Sequence, residues 1–344
     1  MHTVHLPIAE TPIKALQYLA YPLCVLLNYE ECLPWFYNNY IQLDFVVKKS
    51  GGLINFIDGW LSDVPWLSVQ QLQKKYFFPL CGEDLNSVIK NFIDDGWYLY
   101  SWIDEYYVPN RLAYQKKHFM HDFMLYGYMD TDEKYSILGY TKDRTFTTSK
   151  ISYKGFYQAF GFGDSYCDQH GEDWVFSFKK RDDFFCDFNL KYVFDMLNDY
   201  YHGINTIERI GRDRDKGYEK VFGLHVYDYL IDYFMLLLEK KVDFDIRSLQ
   251  ILGEHKNCMI LRLKYMKQNY LSEQAGYFCD AYQKMANEIF TLRNLQVKYY
   301  FSGETKLIER IIKSLKAIKE YESVILGEML EILEKKEEII DNLY

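Results

Sequence analysis

From Asn189 to the end of the chain the apolar residues keep to helical spacing, whereas the runs richest in strand formers all lie between Trp97 and Phe178. Segregated periods of this kind read as an α+β chain. The strand candidates are Trp97-Tyr98-Leu99-Tyr100-Ser101-Trp102-Ile103, residues 118–128, residues 135–141 and Trp174-Val175-Phe176-Ser177-Phe178. A polar connection, Met129-Asp130-Thr131-Asp132-Glu133-Lys134, separates the second and third, which should pair antiparallel. Upstream, residues 12–33 carry apolar positions at helical spacing. Pro22 sits where a first helical turn tolerates proline, so the helix should start there, and Pro34 limits or kinks it. Residues 83–95 form a second helix ended by Gly96. Later helices are expected over 189–201, 218–241, 245–269, 272–300 and 304–340. The last carries Leu307, Ile311, Leu315, Ile318, Leu330 and Leu333 as an apolar stripe suited to a domain or dimer contact.

At 344 residues and 49% hydrophobic content the chain can bury one large core or two ordinary ones. A net charge of −9 argues against a sequence-independent grip on nucleic acid or anionic membrane and favours a cationic partner. Seven scattered cysteines with no CxxC read as reduced thiols, with neither a disulfide framework nor a zinc cage. The N-terminus lacks signal-peptide character, and the apolar run around residues 229–238 is too short and too charged to span a membrane. A cytoplasmic protein is the resulting expectation. Gly51-Gly52 and Gly161-Phe162-Gly163 match no phosphate or dinucleotide fingerprint, so no cofactor is expected. Residues 212–217 lack the alternation of a calcium loop and read as a charged connector.

Three residues can supply cysteine-based acyl chemistry, which needs a thiolate, a base and oxyanion donors. They are Cys24, His121 and Gln17. With the helix starting at Pro22, Cys24 falls in the first turn, where free N–H groups and the dipole lower a thiol pKa. The other reading of Cys24 is a small buried hydrophobe between Leu23 and Val25. Three-residue spacing makes His118 and His121 a metal pair only on a helix; on a strand they point to opposite faces, and no metal site is expected. His118 then reads as a surface or packed residue, and His225 and His255 as helix-packing residues.

Gln17-Tyr-Leu-Ala-Tyr-Pro-Leu-Cys24 resembles the Gln…Cys element of papain-like enzymes, and His121-Asp-Phe-Met-Leu-Tyr-Gly127-Tyr128 resembles their His strand leading to a Gly-Tyr turn. The combination resembles the branch related to bacteriocin leader peptidases and to butirosin biosynthesis protein H, which includes the amide-forming enzyme of closthioamide assembly. Likeness extends to residues 28–40, to Tyr106-Tyr107-Val108-Pro109 and to Gly223-Leu-His-Val-Tyr-Asp228, over roughly residues 5–265. The resemblance implies a papain-like fold over residues 1–185, followed by a mostly helical domain over 186–344.

It also implies Cys24 as nucleophile, His121 as base and acid, and Gln17 as oxyanion donor. Where such peptidases place an acid on the strand after the His, this chain reads Ser136-Ile-Leu-Gly-Tyr-Thr141. A turn centred near Thr131 and Asp132 would set His121 opposite about position 142, which makes Asp143 the candidate orienter. Asp130 and Asp132 read as solvated turn residues. The implied activity is amide-forming acyl transfer in nonribosomal biosynthesis, from a phosphopantetheinyl carrier-protein thioester through acyl-Cys24 to an amine such as a diamine or polyamine. A homodimer is compatible with this. The alternatives are a cysteine peptidase or thioesterase using the same residues, or a non-catalytic binding protein that keeps the fold.

Overall fold

Strands dominate the first half of the computed structural model and helices the second, which makes the chain a mixed α+β protein. Residues 2–48, 51–82, 84–161, 174–210, 218–271 and 274–341 are described. Cys167, His170, Gly163 and the connector 212–217 lie outside them. In chain order the first elements are β1 (Thr3–His5), α1 (Gln17–Leu26), α2 (Leu33–Asn38), β2 (Leu43–Val46) and β3 (Leu53–Phe56). Next come β4 (Leu67–Gln73), α3 (Lys74–Cys81), α4 (Leu85–Asp94), β5 (Tyr98–Asp104), β6 (Met120–Met129) and β7 (Lys134–Tyr140). Then follow β8 (Phe146–Ser152), α5 (Tyr153–Gly161) and β9 (Trp174–Lys180). Beyond Asn189 the regular elements among the described residues are helices apart from the short strand β10 (Lys220–Phe222). That strand falls inside the span read from sequence as one helix over 218–241, which is confined to Val226–Leu238.

Packing divides the chain into two units, Met1–Glu30 with Gly59–Phe185, and Glu31–Asp58 with Cys186–Tyr344. The segment Glu31–Asp58 therefore belongs with the helical unit, an exchange that a single boundary at residue 185 does not contain.

The first unit is built on an antiparallel sheet in the order β4-β9-β5-β6-β7-β8, with β1 beside the second half of β6. The Tyr98–Asp104 and Met120–Met129 strands pair through Ile103↔His121 and Leu99↔Leu125. Their alternation sends Leu99, Ile103, Phe123 and Leu125 to one face, where they form a core with Ile89 of α4 and Phe156 of α5. On the other face α1 lies against Asp122 and Tyr100. Helix α4 begins at Asp84, whose carboxylate accepts from the Ser87 N–H at 3.0 Å, and stops at Gly96 with φ +82°. Gly127 and Tyr128 lie within β6 at a register shift, and the expected turn at that point is absent. A Cβ at Gly127 would sit 2.4 Å from the Val4 carbonyl, so only glycine lets β1 approach.

Among the described residues the second unit has a three-stranded sheet, β10-β2-β3, and five helices of thirteen or more residues. The stripe Leu307, Ile311, Leu315, Ile318, Leu330 and Leu333 is buried within this unit. A polar network lies among these apolar layers. Lys256 Nζ sits 2.6 and 2.7 Å from the two carboxylate oxygens of Glu322 and 3.1 Å from the Tyr200 hydroxyl, and Lys256 and Glu322 are both fully buried. The Tyr227 hydroxyl donates to Glu322 at 2.6 Å. His255 Nε2 donates to the Ile41 carbonyl at 2.7 Å, which leaves Nδ1 as the acceptor facing Lys256 Nζ at 3.1 Å. Burial, and then the Lys256 charge, hold the His255 imidazole well below its ordinary pKa, so the ring is neutral.

Candidate functional site

Helix α1 starts at Gln17, one and a half turns before the expected position, and Pro22 lies inside it. Leu19 and Ala20 donate their N–H groups to the Leu16 carbonyl, each at 3.0 Å, and so close the first turn ahead of the proline. An internal proline costs a helix about 3 kcal/mol. The nearly continuous burial of Leu19, Ala20, Tyr21, Leu23, Val25 and Leu26 outweighs this, at about 1.5–3 kcal/mol for each large aliphatic side chain. The consequence for chemistry is that Cys24 lies in the last turn of α1, where the dipole opposes a thiolate. Cys24 is 2% exposed, and burial pushes its thiol up to about 12, with the Lys14 charge pulling down and the Glu10 charge pushing up. The sequence-based placement of Cys24 in an activating first turn is thereby corrected.

Gln17 occupies the amino end of α1, seven residues or about 10 Å along the axis from Cys24. It is buried and both ends of its amide are engaged. Its Nε2 donates to Asp122 Oδ1, and its Oε1 accepts from the Tyr140 N–H at 3.0 Å. The Tyr21 hydroxyl donates to the Asp122 carbonyl at 3.3 Å on the same face. Asp122 is therefore the β6 residue that meets α1. Burial raises its carboxyl pKa against the opposing pull of His121 and of the Gln17 amide.

His121 is one residue earlier on β6 and pairs with Ile103, and its ring reaches toward the Asp122 carboxylate that holds Gln17. Among the described residues no hydrogen bond joins it to Cys24. Its Nδ1 lies 2.9 Å from Glu105 Oε1 and its Nε2 lies 3.7 Å from Asp122 Oδ1. Burial lowers the imidazole pKa, but the Glu105 hydrogen bond and the Asp122 charge outweigh it, and the net direction is upward. The orienting acid is thus Glu105, in the short turn after β5. Asp143 is exposed beyond the end of the β6–β7 pairing and does not serve His121. His118 stacks on Tyr106 at 4.4 Å and lies 2.5 Å from Asp104, while its side chain remains 51% exposed.

Gly139 stands in the stretch where the resemblance expects an acid. Its φ of +155° favours glycine, and a Cβ there would meet the Arg111 guanidinium at 2.5 Å. Arg111 is buried, donates to the Tyr140 carbonyl and approaches Glu105 to 3.9 Å. Its Nε and Nη2 have no hydrogen-bond partner among the described residues. The polar cluster is therefore Gln17, Asp122, His121, Glu105 and Arg111. Sequence reasoning missed Glu105, Asp122 and Arg111, although Asp122 adjoins His121 and Glu105 immediately precedes Tyr106-Tyr107-Val108-Pro109.

Cys24 instead faces a pocket of about 150 Å³ walled by Ile8, Leu138 and Phe146, with Thr147 and Thr148 of β8. Glu10 and Lys14, 3.0 Å apart, also line it. His121 is not among the residues that line the Cys24 pocket, and its hydrogen bond goes to Glu105. Among the described residues no group of His, Cys, Asp and Glu side chains could hold a metal ion, and no helix is long and apolar enough to cross a membrane.

Glu105→Gln should lower the His121 titration midpoint, because the charge holding the imidazolium is removed. An NMR titration of the His121 ring protons measures this. A raised folded-state pKa contributes stability that is complete below the ordinary imidazole value of about 6.5 and is lost as pH rises through the folded value. In the variant, stability should therefore decline less across that upper window; an unmoved midpoint would rule out Glu105 as the controlling partner. No protein-family model matches the chain, and a search of curated proteins returned no match.

Proposed function

We propose that the N-terminal unit is a non-catalytic recognition module of thiotemplated biosynthesis, which takes a short acyl or amine-bearing group presented by a carrier protein without forming acyl-Cys24. The observation that carries this reading is that Cys24 and His121 have separate partners: His121 is held by Glu105 and approaches Asp122, while Cys24 lines a pocket that does not include His121. A thiol raised to about 12 is almost wholly protonated at neutral pH, and among the described residues no imidazole lines its pocket to receive the proton. The pocket beside it suits a small ligand. At about 150 Å³ it compares with cavities that accept benzene, and the Glu10 carboxylate at its edge supplies charge for an amine. The link to carrier proteins rests on the resemblance of residues 17–24 and 121–128 to the papain-like branch.

Calorimetric titration of the full chain with an acylated carrier domain, paired with intact-mass analysis of the same mixture, tests the proposal. Saturable heat with no mass gain is expected. An acyl mass mapped to Cys24 would overturn the non-catalytic reading.

A second reading, amide-forming acyl transfer through Cys24, is favoured by one observation: Lys14 lines the same pocket and is the main charge acting to lower the thiol pKa. Here Lys14 would replace His121 as the group beside the thiolate. Cys24 Sγ would displace the carrier thiol from the acyl group, and an amine would then displace Cys24 to leave an amide; with water as acceptor the same steps describe a peptidase or thioesterase. Measuring amide against free acid in that mixture distinguishes the two acceptors.

A further inference from the structure

On the side of the first unit away from α1 lies a cavity of about 450 Å³, within the range of small-molecule sites, about 300–1,000 Å³. Its walls are Phe78 and Cys81 of α3, Leu85 of α4, Tyr107, and Tyr157 and Gln158 of α5. We propose that this cavity binds a neutral aromatic small molecule, a role separate from the recognition assigned to the Cys24 pocket. Among the described residues the walls contain no Asp, Glu, Lys, Arg or His, so a charged ligand would lose its hydration without a compensating partner there. Three aromatic rings and a sulfur atom form surfaces that stack on or edge against a flat ring. The Gln158 amide can both donate and accept, which matches a neutral polar substituent on that ring.

Two glycines complete the cavity. Gly82 has φ +60°, which explains glycine by backbone alone. Gly161 is the last residue of α5 and has no positive φ. No atom lies within 4 Å of a Cβ built on Gly161, so the missing side chain leaves open space at the cavity wall. Gly161 is exposed and a Cβ there meets no described atom, which makes Gly161→Leu a probe of this wall that leaves the core intact. Tyr157 is 65% exposed at the rim, so Tyr157→Ala removes a stacking surface with little cost in folding.

Equilibrium dialysis of the full chain against naphthalene-2-carboxamide, naphthalene-2-carboxylate and decanamide is the test. Retention of the carboxamide below about 1 mM is expected, with at least tenfold weaker retention of the carboxylate and of decanamide. Gly161→Leu should weaken carboxamide retention at least tenfold, and Tyr157→Ala at least threefold, with unfolding midpoints at the unsubstituted value. No retention up to about 1 mM overturns the proposal. Equal retention of the carboxylate overturns the neutral class, and equal retention of decanamide overturns the aromatic one. Retention unchanged in both variants removes the ligand from this cavity; should Gly161→Leu fail to fold, Tyr157→Ala alone decides.

Discussion

Glu322→Ala should lower the unfolding free energy of the helical unit by about 3–5 kcal/mol, the loss expected when one partner of a buried ion pair is removed. Among the described residues the carboxylate is the only anion paired with Lys256 Nζ, at 2.6 and 2.7 Å, and it also accepts from the Tyr227 hydroxyl. Without it an ammonium group is left in a layer where its own residue and its neighbours His255, Tyr200 and Tyr227 are buried. Burial already pulls the Lys256 pKa down against the Glu322 charge, so the variant should shed the Lys256 proton on folding. Its stability should then rise with pH over a range where the unsubstituted chain is flat. Urea unfolding followed by far-UV circular dichroism reads both effects. Paired replacement by Lys256→Met and Glu322→Leu should recover part of the loss, because two apolar side chains need no partner while the Tyr227 hydroxyl and His255 Nδ1 lose theirs. A loss under about 1 kcal/mol in Glu322→Ala would mean that water reaches the pair, and the network would then contribute little.

Nothing in the spacing of Lys256 and Glu322 announces that pair, since 66 residues separate them and each sits in an amphipathic helix where a charge reads as solvent-facing. The helices themselves were legible. Gly96 ends α4, the Leu307–Leu333 stripe is buried, and the hairpin at Asp130–Glu133 joins β6 to β7. Those features depend on local period and turn chemistry, which the sequence states directly. The start of α1 was misjudged because proline was read by its own preference, while burial of its neighbours set the helix boundary. That one shift carried Cys24 from an activating end of the helix to a deactivating one. Alternation gives relative faces within β6, but only the packing of α1 shows that Asp122 is a residue Gln17 meets. Glu105 and Arg111 reach His121 through the connection between β5 and β6, whose path no local pattern encodes. The exchange of Glu31–Asp58 into the helical unit is tertiary in the same sense.

The thiol of Cys24 offers the most direct decision between recognition and catalysis, and its expected signature is a rate that climbs with pH far beyond the ordinary cysteine range. An ordinary value of 9.0 raised to about 12 leaves about a thousandfold less thiolate at neutral pH. Iodoacetamide alkylation of Cys24 in the folded chain at pH 7.5 should therefore be at least ~100-fold slower than in the same chain unfolded in urea. Slow reaction alone has two causes, because a side chain 2% exposed is also shielded from the reagent. The pH profile separates them. If shielding is the cause, the thiol reacts only in open forms and the rate levels off near 9.0. If the folded environment raises the pKa, the rate should keep rising about tenfold per pH unit to at least pH 11 in a chain that stays folded. Lys14→Gln should slow the folded reaction further, since it removes the charge that opposes burial, and Glu10→Gln should speed it. A rate that plateaus near neutral pH would instead mean a stabilised thiolate, and Cys24 would return as a nucleophile with Lys14 beside it.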